Sequence, residues 1–240
     1  MEQTQQPHWE HFKIINSQRR AIRDFDGTPI PDQDIRDILQ EALRAPSSGN
    51  IQPYRIHWIQ DPALKARVAE ACNGQRAATS ASALFVLVAS KAIAKQTLVS
   101  HAAYLENSDL SANSKSYHQQ GINTLKKFLR FGPFKLWTPL IAFFSVFAPV
   151  LSLFPVGGLG MRQWLARNSI YAAQNILLAS VAKGYDACPM EGFNALKIAS
   201  ILQLPYGSVI PVVIAIGKKQ VDARTEPQWR KSFEEVVVVH

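Results

Sequence analysis

Hydrophobic and polar positions along the chain alternate between two periods. From Asp32 to Arg44, Ile35, Ile38, Leu39, Ala42 and Leu43 recur at helical spacing, with Asp32 as N-cap and Asp34 and Asp37 near the positive end. The stop is Arg44-Ala45-Pro46. His8 to Ser17 predicts a shorter helix, and Asp61 to Cys72, Tyr117 to Phe131 and Asn194 to about Gln203 predict three more. Arg162 to Lys183 is rich in Ala, Leu and Ile nearly all round and is closed by Gly184, which suits a core or a subunit interface. Tyr54 to Ile59 alternates as a half-buried strand, whereas Leu84 to Ala89 and Val209 to Ile216 run apolar without a break, as buried strands do. The β-branched tail Val236 to Val239 predicts a strand in need of an edge, and a neighbouring subunit can supply one.

Two stretches depart from this alternation. Ala45-Pro46-Ser47-Ser48-Gly49-Asn50-Ile51-Gln52-Pro53 sets four short polar side chains and a glycine between prolines, more polar chemistry than a connector needs. It reads as a loop that holds a flat polar ligand. Leu136 to Val156 carries no charge, is broken by Pro139, Pro149 and Pro155, and is flanked by basic residues on both sides. Gly157-Gly158-Leu159-Gly160 behind it reads as a hinge, because no strand precedes it to make a dinucleotide fingerprint.

At 240 residues and 47% hydrophobic composition, with no linker-like break, the expectation is one domain spanning 1–240 with an insertion at about 107–162. A polar start without an apolar leader, and only Cys72 and Cys188 outside any paired spacing, point to a reducing cytoplasm and against disulfides or a thiolate metal site. None of the six histidines has ligand spacing, so no metal is expected. The net charge of +8 suits nucleic acid, anionic lipid or a phosphorylated ligand. No nucleic-acid-binding pattern accompanies it, so nucleic acid is not expected. Arg19-Arg20-Ala21-Ile22-Arg23 crowds three guanidiniums, the side chain best shaped to fork onto phosphate oxygens. Pro189-Met190-Glu191-Gly192-Phe193, ahead of a predicted helix, places backbone N–H groups where an electron-rich ring edge could meet them.

Taken together, these stretches resemble the nitroreductase family of FMN-dependent oxidoreductases. Arg19 to Phe25 is similar to its N-terminal phosphate motif and Ala45 to Pro53 to its Ala-Pro-Ser-x-x-Asn-x-Gln-Pro loop. Pro189 to Phe193 is similar to the segment lying against the flavin, and Arg230 falls where a late basic residue reaches the phosphate. The resemblance implies an α+β fold, a central mostly antiparallel sheet flanked by helices, in an intertwined homodimer with FMN sites at the interface. It implies that Arg19, Arg23 and Arg230 hold the phosphate, with Arg20 and Ala21 contributing backbone. Pro46, Ser47, Ser48 and Asn50 would meet the ribityl chain or ring, on a flavin held mainly by the partner's arginines. Asn73 or Gln75 would meet the pyrimidine side, Pro189 and Met190 would line the ring, and Glu191 and Gly192 would offer N–H groups near N5. NADPH or NADH would reduce the flavin, and a nitroaromatic or quinone would then reoxidise it at the same face, with no side-chain acid or nucleophile indispensable. Ala21 and Gln228 depart from the family pattern, where a hydroxyl residue and a second basic residue are common.

A specialised reductive dehalogenase-like enzyme and a non-catalytic, membrane-associated flavin-binding protein stay open as alternatives. A single membrane crossing by Leu136 to Val156 would separate Arg19–Asn50 from Glu191 and Arg230, which must meet one flavin. That segment is therefore expected to be a lid, an interface element or a peripheral membrane contact, and to select a bulky apolar acceptor.

Overall fold

The computed structural model describes residues 5–131 and 160–240. The expectations for Leu136 to Val156 and for the hinge at Gly157 to Leu159 lie outside the described residues. Among those described, no helix is long and apolar enough to cross a membrane.

Helix α1 (Gln5–Gln18) leads into an extended segment, and α2 (Asp32–Ala42) follows. The N-cap of α2 is Pro31, at φ −54° and ψ 136°, with no side-chain cap. Asp32 is therefore already helical, a correction to its expected capping role. Its charge and that of Asp34 still complement the helix dipole from the first turn. Ile35, Ile38 and Ala42 are buried, whereas Leu43 is 59% exposed. The stripe ends one residue early because Leu43 continues the Leu39 side of the helix, already half-buried, past the edge of the core.

Four strands form one antiparallel sheet in the order β1-β2-β4-β3: β1 (Tyr54–Ile59), β2 (Ala83–Ala89), β3 (Asp186–Met190) and β4 (Val213–Gly217). Strand β2 is buried along its whole length because it is central and covered on both faces, as its unbroken apolar run requires. The expected strand from Val209 shortens to Val213. Pro211 cannot donate to a ladder, so Val209 is left with an isolated bridge to Ala89.

Alternation then sorts the sheet's side chains into two layers. Val86, Val88, Cys188 and Ala215 face α3 (Pro62–Ala71) and its neighbours. Phe85, Leu87, Ile214 and Ile216 face α2 and, once residues 76–80 (α4), 91–107 (α5) and 112–131 (α6) have passed, the long α7 (Met161–Ala182). Asp34 ties α2 to the start of β3: Tyr185 donates to it at 2.5 Å and Lys183 at 3.2 Å, which holds its carboxyl below the usual carboxylate range. A third cluster joins α5, α6 and the first turns of α7 to Ala45, Ile51 and Tyr54, so these helices lie directly behind the polar turn. On its outer face α7 leaves Ile170 and Tyr171 exposed, so its burial is one-sided rather than all round.

After β3 comes α8 (Ala195–Ile201), and the chain closes with α9 (Phe233–Val236). The expected terminal strand is absent from this chain. Ser232 and Glu235 form a capping box that turns Phe233–Val236 into helix, and the following valines lie exposed.

Candidate functional site

The first part of the site is cationic. The segment after α1 runs beside β3, with Ala21 bridging Ala187 in parallel and Ile22 N–H bonded to the Ala187 carbonyl at 3.3 Å. Phe25 bridges Lys219, and its N–H is received by Ser80 Oγ at 3.1 Å. The Gln228 side chain ties the C-terminal segment to the end of α1. Gln228 Nε2 donates to the carbonyls of Ser17 at 2.9 Å and Arg19 at 3.0 Å. Where the family commonly has a second basic residue, the Gln228 amide thus supplies a tie between the segments that carry Arg230 and Arg19. Between the two segments opens a cavity of about 610 Å³ lined by Arg19, Arg20, Arg23, Arg76, Arg224 and Arg230.

Two of these arginines are neutralised, Arg76 by Asp24 at 2.9 Å and Arg224 by Glu226. Among the described residues, Arg19, Arg20, Arg23 and Arg230 have no carboxylate within ion-pairing distance. Burial and then the neighbouring charges of Arg230 and Arg20 push the Arg19 guanidinium below its ordinary value. A guanidinium does not give up its proton in a protein. The repulsion is therefore relieved by an anion, and a phosphate matches the fork geometry. Ala21 presents only its backbone and a methyl group here.

The second part lies farther along the same edge strand. Pro189 and Met190 belong to β3, paired with Ile214 and Val213, and Met190 is buried in the core while Pro189 is exposed. Pro189 and Met190 thus lie in a strand ahead of the helix expected from Asn194, rather than against its first turn. The helix begins at Ala195, and Asn194 caps it by accepting from Lys197 N–H at 3.0 Å. Glu191 and Gly192 form the exposed connection. The Gly192 carbonyl accepts from Asn73 Nδ2 at 2.9 Å and from Gln75 Nε2 at 2.6 Å. Gln75 also donates to the Cys72 carbonyl at 3.0 Å. The amides of Asn73 and Gln75 thus fix the Gly192–Phe193 peptide, which anchors the Glu191–Gly192 connection. At about 3.3 Å per residue along the strand, this connection stands some 10–15 Å from the arginines.

The third part is the polar turn. Ser48–Asn50 forms one 3₁₀ turn ahead of β1, with Asn50 N–H on the Ser47 carbonyl at 2.9 Å. Ser47 Oγ accepts from Gln52 N–H at 3.0 Å, and Gln52 Nε2 donates to Asn50 Oδ1 at 2.8 Å. Asn50 is thereby left with its own amide N–H groups to offer outward. Pro46, Gly49 and Asn50 are exposed, and Ser47 and Ser48 half-buried. Gly49 takes φ +59°, and a Cβ there would lie 2.6 Å from Leu125 Cδ1 of α6. Gly49→Ala should therefore cost about 1–2 kcal/mol, through left-handed strain and the forced shift of Leu125, read as a lower denaturation midpoint. An unchanged midpoint would show that α6 does not pack on the turn.

The turn and the arginines of one chain stand at diagonal corners of the sheet. Three strand spacings separate β1 from β3, about 14 Å. The Ala187 row lies beyond the Ile59 end of β1, whereas the turn feeds the Tyr54 end, on the order of 20 Å along the strands.

Cys188 sits close to Arg19 and Arg23 but is buried, and burial pushes its thiol up, so it packs rather than reacts. Arg76 and Arg224 line the cavity without a signal in the sequence. Asn168, which accepts from Ser48 N–H, had one: a lone amide on the buried stripe of α7.

The nitroreductase family model matches residues 17–218. The chain is 28% identical over 226 residues to an NADH dehydrogenase of Thermus thermophilus, covering 94% of each. It is 31% identical over 212 residues to protein DrgA of Synechocystis, covering 86% of this chain and 83% of the relative. A solved FMN complex from Exiguobacterium sibiricum, assigned to the nitroreductases, has the same fold, with a TM-score of 0.74 at 22% identity over 95% of this chain and 97% of that one. Matched by the family model over residues 17–218, most of its length, this protein belongs to the nitroreductase family.

Proposed function

We propose that the protein is an FMN-dependent oxidoreductase that takes reducing equivalents from NADPH or NADH and passes them to an organic acceptor such as a nitroaromatic or a quinone. The observation that carries this reading is the meeting of four arginines without carboxylate partners, drawn from both ends of the chain into one cavity beside β3. Their crowding is what an anion of two charges offsets, and the Glu191–Gly192 connection, anchored through the Gly192 carbonyl, lies one mononucleotide's reach farther on.

In this reading Arg19, Arg23 and Arg230 hold the FMN phosphate, and the Arg20–Ala21 backbone follows it. Asn73 and Gln75 hold the Gly192 carbonyl, and so the Gly192–Phe193 peptide, which keeps the preceding Glu191 and Gly192 N–H groups in place for the ring without reorganising. When bound, FMN supplies the two-electron chemistry between nicotinamide and acceptor. The acids lining the arginine cavity, Asp24 and Glu226, are both paired with arginine, so the protein's part there is binding, orientation and electrostatics.

The diagonal placement of turn and arginines makes one chain half a site. In a homodimer, a second copy would bring its Pro46–Asn50 turn over the ring held by the first. The outer edge of β1, which no described strand pairs, offers a ladder, and the exposed tail valines with Trp9, Phe12 and Ile14 on α1 provide apolar surface for that pairing.

Absorbance decides the reading. Purified protein, or apoprotein titrated with FMN, should show flavin bands that bleach anaerobically on adding NADPH or NADH. Colourless protein that takes up no FMN sinks the proposal, and a yellow protein that neither nucleotide bleaches reduces it to a flavin-binding role.

A further inference from the structure

Of the buried polar side chains among the described residues, Ser90 caps α5, and Ser169 and Ser180 bond carbonyls of their own helix. Asn168 does something else. It is 3% exposed in the middle of α7, donates Nδ2 to the Trp164 carbonyl at 2.8 Å, and so has its Oδ1 aimed out of the helix at Ser48 N–H, 2.7 Å away and 120 residues distant in sequence. Burying an amide among Trp164, Leu165 and Ala172 costs more than burying a leucine. The return on that cost is the conformation of the turn. Asn50 takes φ +53°, which asparagine tolerates, but Gln52 at +35° is a conformation a glutamine keeps only when its surroundings hold it there.

We propose that Asn168 is a positioning residue for the flavin site, and that it acts in trans: it sets the Ser47–Asn50 turn of its own chain against the cofactor held by the arginines of the other. This rests on the functional reading above, in which the second copy's turn completes the site. Asn168 touches neither cofactor nor acceptor. Its effect passes through the Ser48 peptide, whose N–H would otherwise point the turn's first donor elsewhere.

The test uses the full-length protein. Asn168→Leu keeps the branched shape and removes the acceptor, and Asn168→Asp keeps an acceptor oxygen. The Leu variant should bind FMN about tenfold more weakly, the worth of one hydrogen bond left unmade, with Ser48 amide exchange accelerated by a similar factor. The Asp variant should bind nearly as the wild type does. Co-expressing Asn168→Leu with Arg19→Ala then separates trans from cis. A mixed dimer has one site built from the intact arginines of the first chain and the intact turn of the second, so half of the sites should bind FMN with wild-type affinity, although each homodimer binds weakly. Wild-type affinity in the Asn168→Leu homodimer, unchanged Ser48 exchange, or no restored half-site in the mixed dimer overturns the inference. Failure of the wild-type protein itself to take up FMN overturns the functional reading beneath it, which is a different result.

Discussion

Replacing Arg19 and Arg230 together by alanine should abolish tight FMN binding while leaving the apoprotein as stable as before, or more so. Each guanidinium in the cavity can make charge-assisted hydrogen bonds worth about 1.5–3 kcal/mol, so losing two weakens affinity by about two to four orders of magnitude. The stability arm runs the other way. Burial and the Arg230 and Arg20 charges push the Arg19 guanidinium below its ordinary value, meaning the folded apoprotein holds that charge in an unfavourable place. Removing it relieves repulsion. Arg76 and Arg224, already paired with Asp24 and Glu226, serve as controls whose loss should matter far less for FMN. The measurements are an FMN titration by fluorescence quenching and thermal denaturation of the apoprotein. Tight binding retained in the double variant would mean that the phosphate sits elsewhere. A lysine pair should fall between, because a point charge keeps the attraction and loses the fork.

How much of this was legible in the sequence depends on the range of the interaction. The helix over Asp32–Ala42 and strand β2 could be read because their burial is periodic or continuous within a few residues. Their ends could not. Whether Asp32 caps or Pro31 does turns on one backbone angle, and the shortening of β4 turns on a ladder that Pro211 cannot enter. The arginine cluster and the polar turn announced themselves by composition, since polar density without a local reason is itself a signal. What joins distant segments left almost no trace. Gln228 looked like the loss of a charge and proves to be the clamp between the two arginine-bearing segments. Gln75, singled out as a ligand contact, also ties its own helix start to Gly192, 117 residues away. The separation of turn and arginines follows from strand order and register, which no local pattern encodes.

That separation leads to the second large effect. Deleting the chain after Ser232 should turn a dimer into a monomer and, with every arginine still present, remove FMN binding. In the sheet order, the β3 edge is covered by the Ala21 segment, whereas among the described residues no strand pairs with the outer edge of β1. The tail offers the complement: beyond α9 its valines lie exposed, Val238 at 73% and Val239 at 85%. An uncovered β-branched tail and an open edge in one molecule pair across two copies, each tail on the other's edge, the arrangement a two-fold axis requires. Seating several valines is worth on the order of 4 kcal/mol per tail, counted twice in a symmetric dimer, which amounts to several orders of magnitude in dissociation constant. The truncated monomer would keep Arg19, Arg23 and Arg230 yet lack the Ser47–Asn50 turn of a partner, so its cavity could grip a phosphate but not frame a ring. Light scattering after gel filtration gives the mass, and titrations with FMN and with inorganic phosphate separate the two halves of the site. A truncated chain that stays dimeric and binds FMN as tightly as the full chain would refute both the tail pairing and the shared site. One that becomes monomeric and still binds FMN tightly would refute the shared site alone.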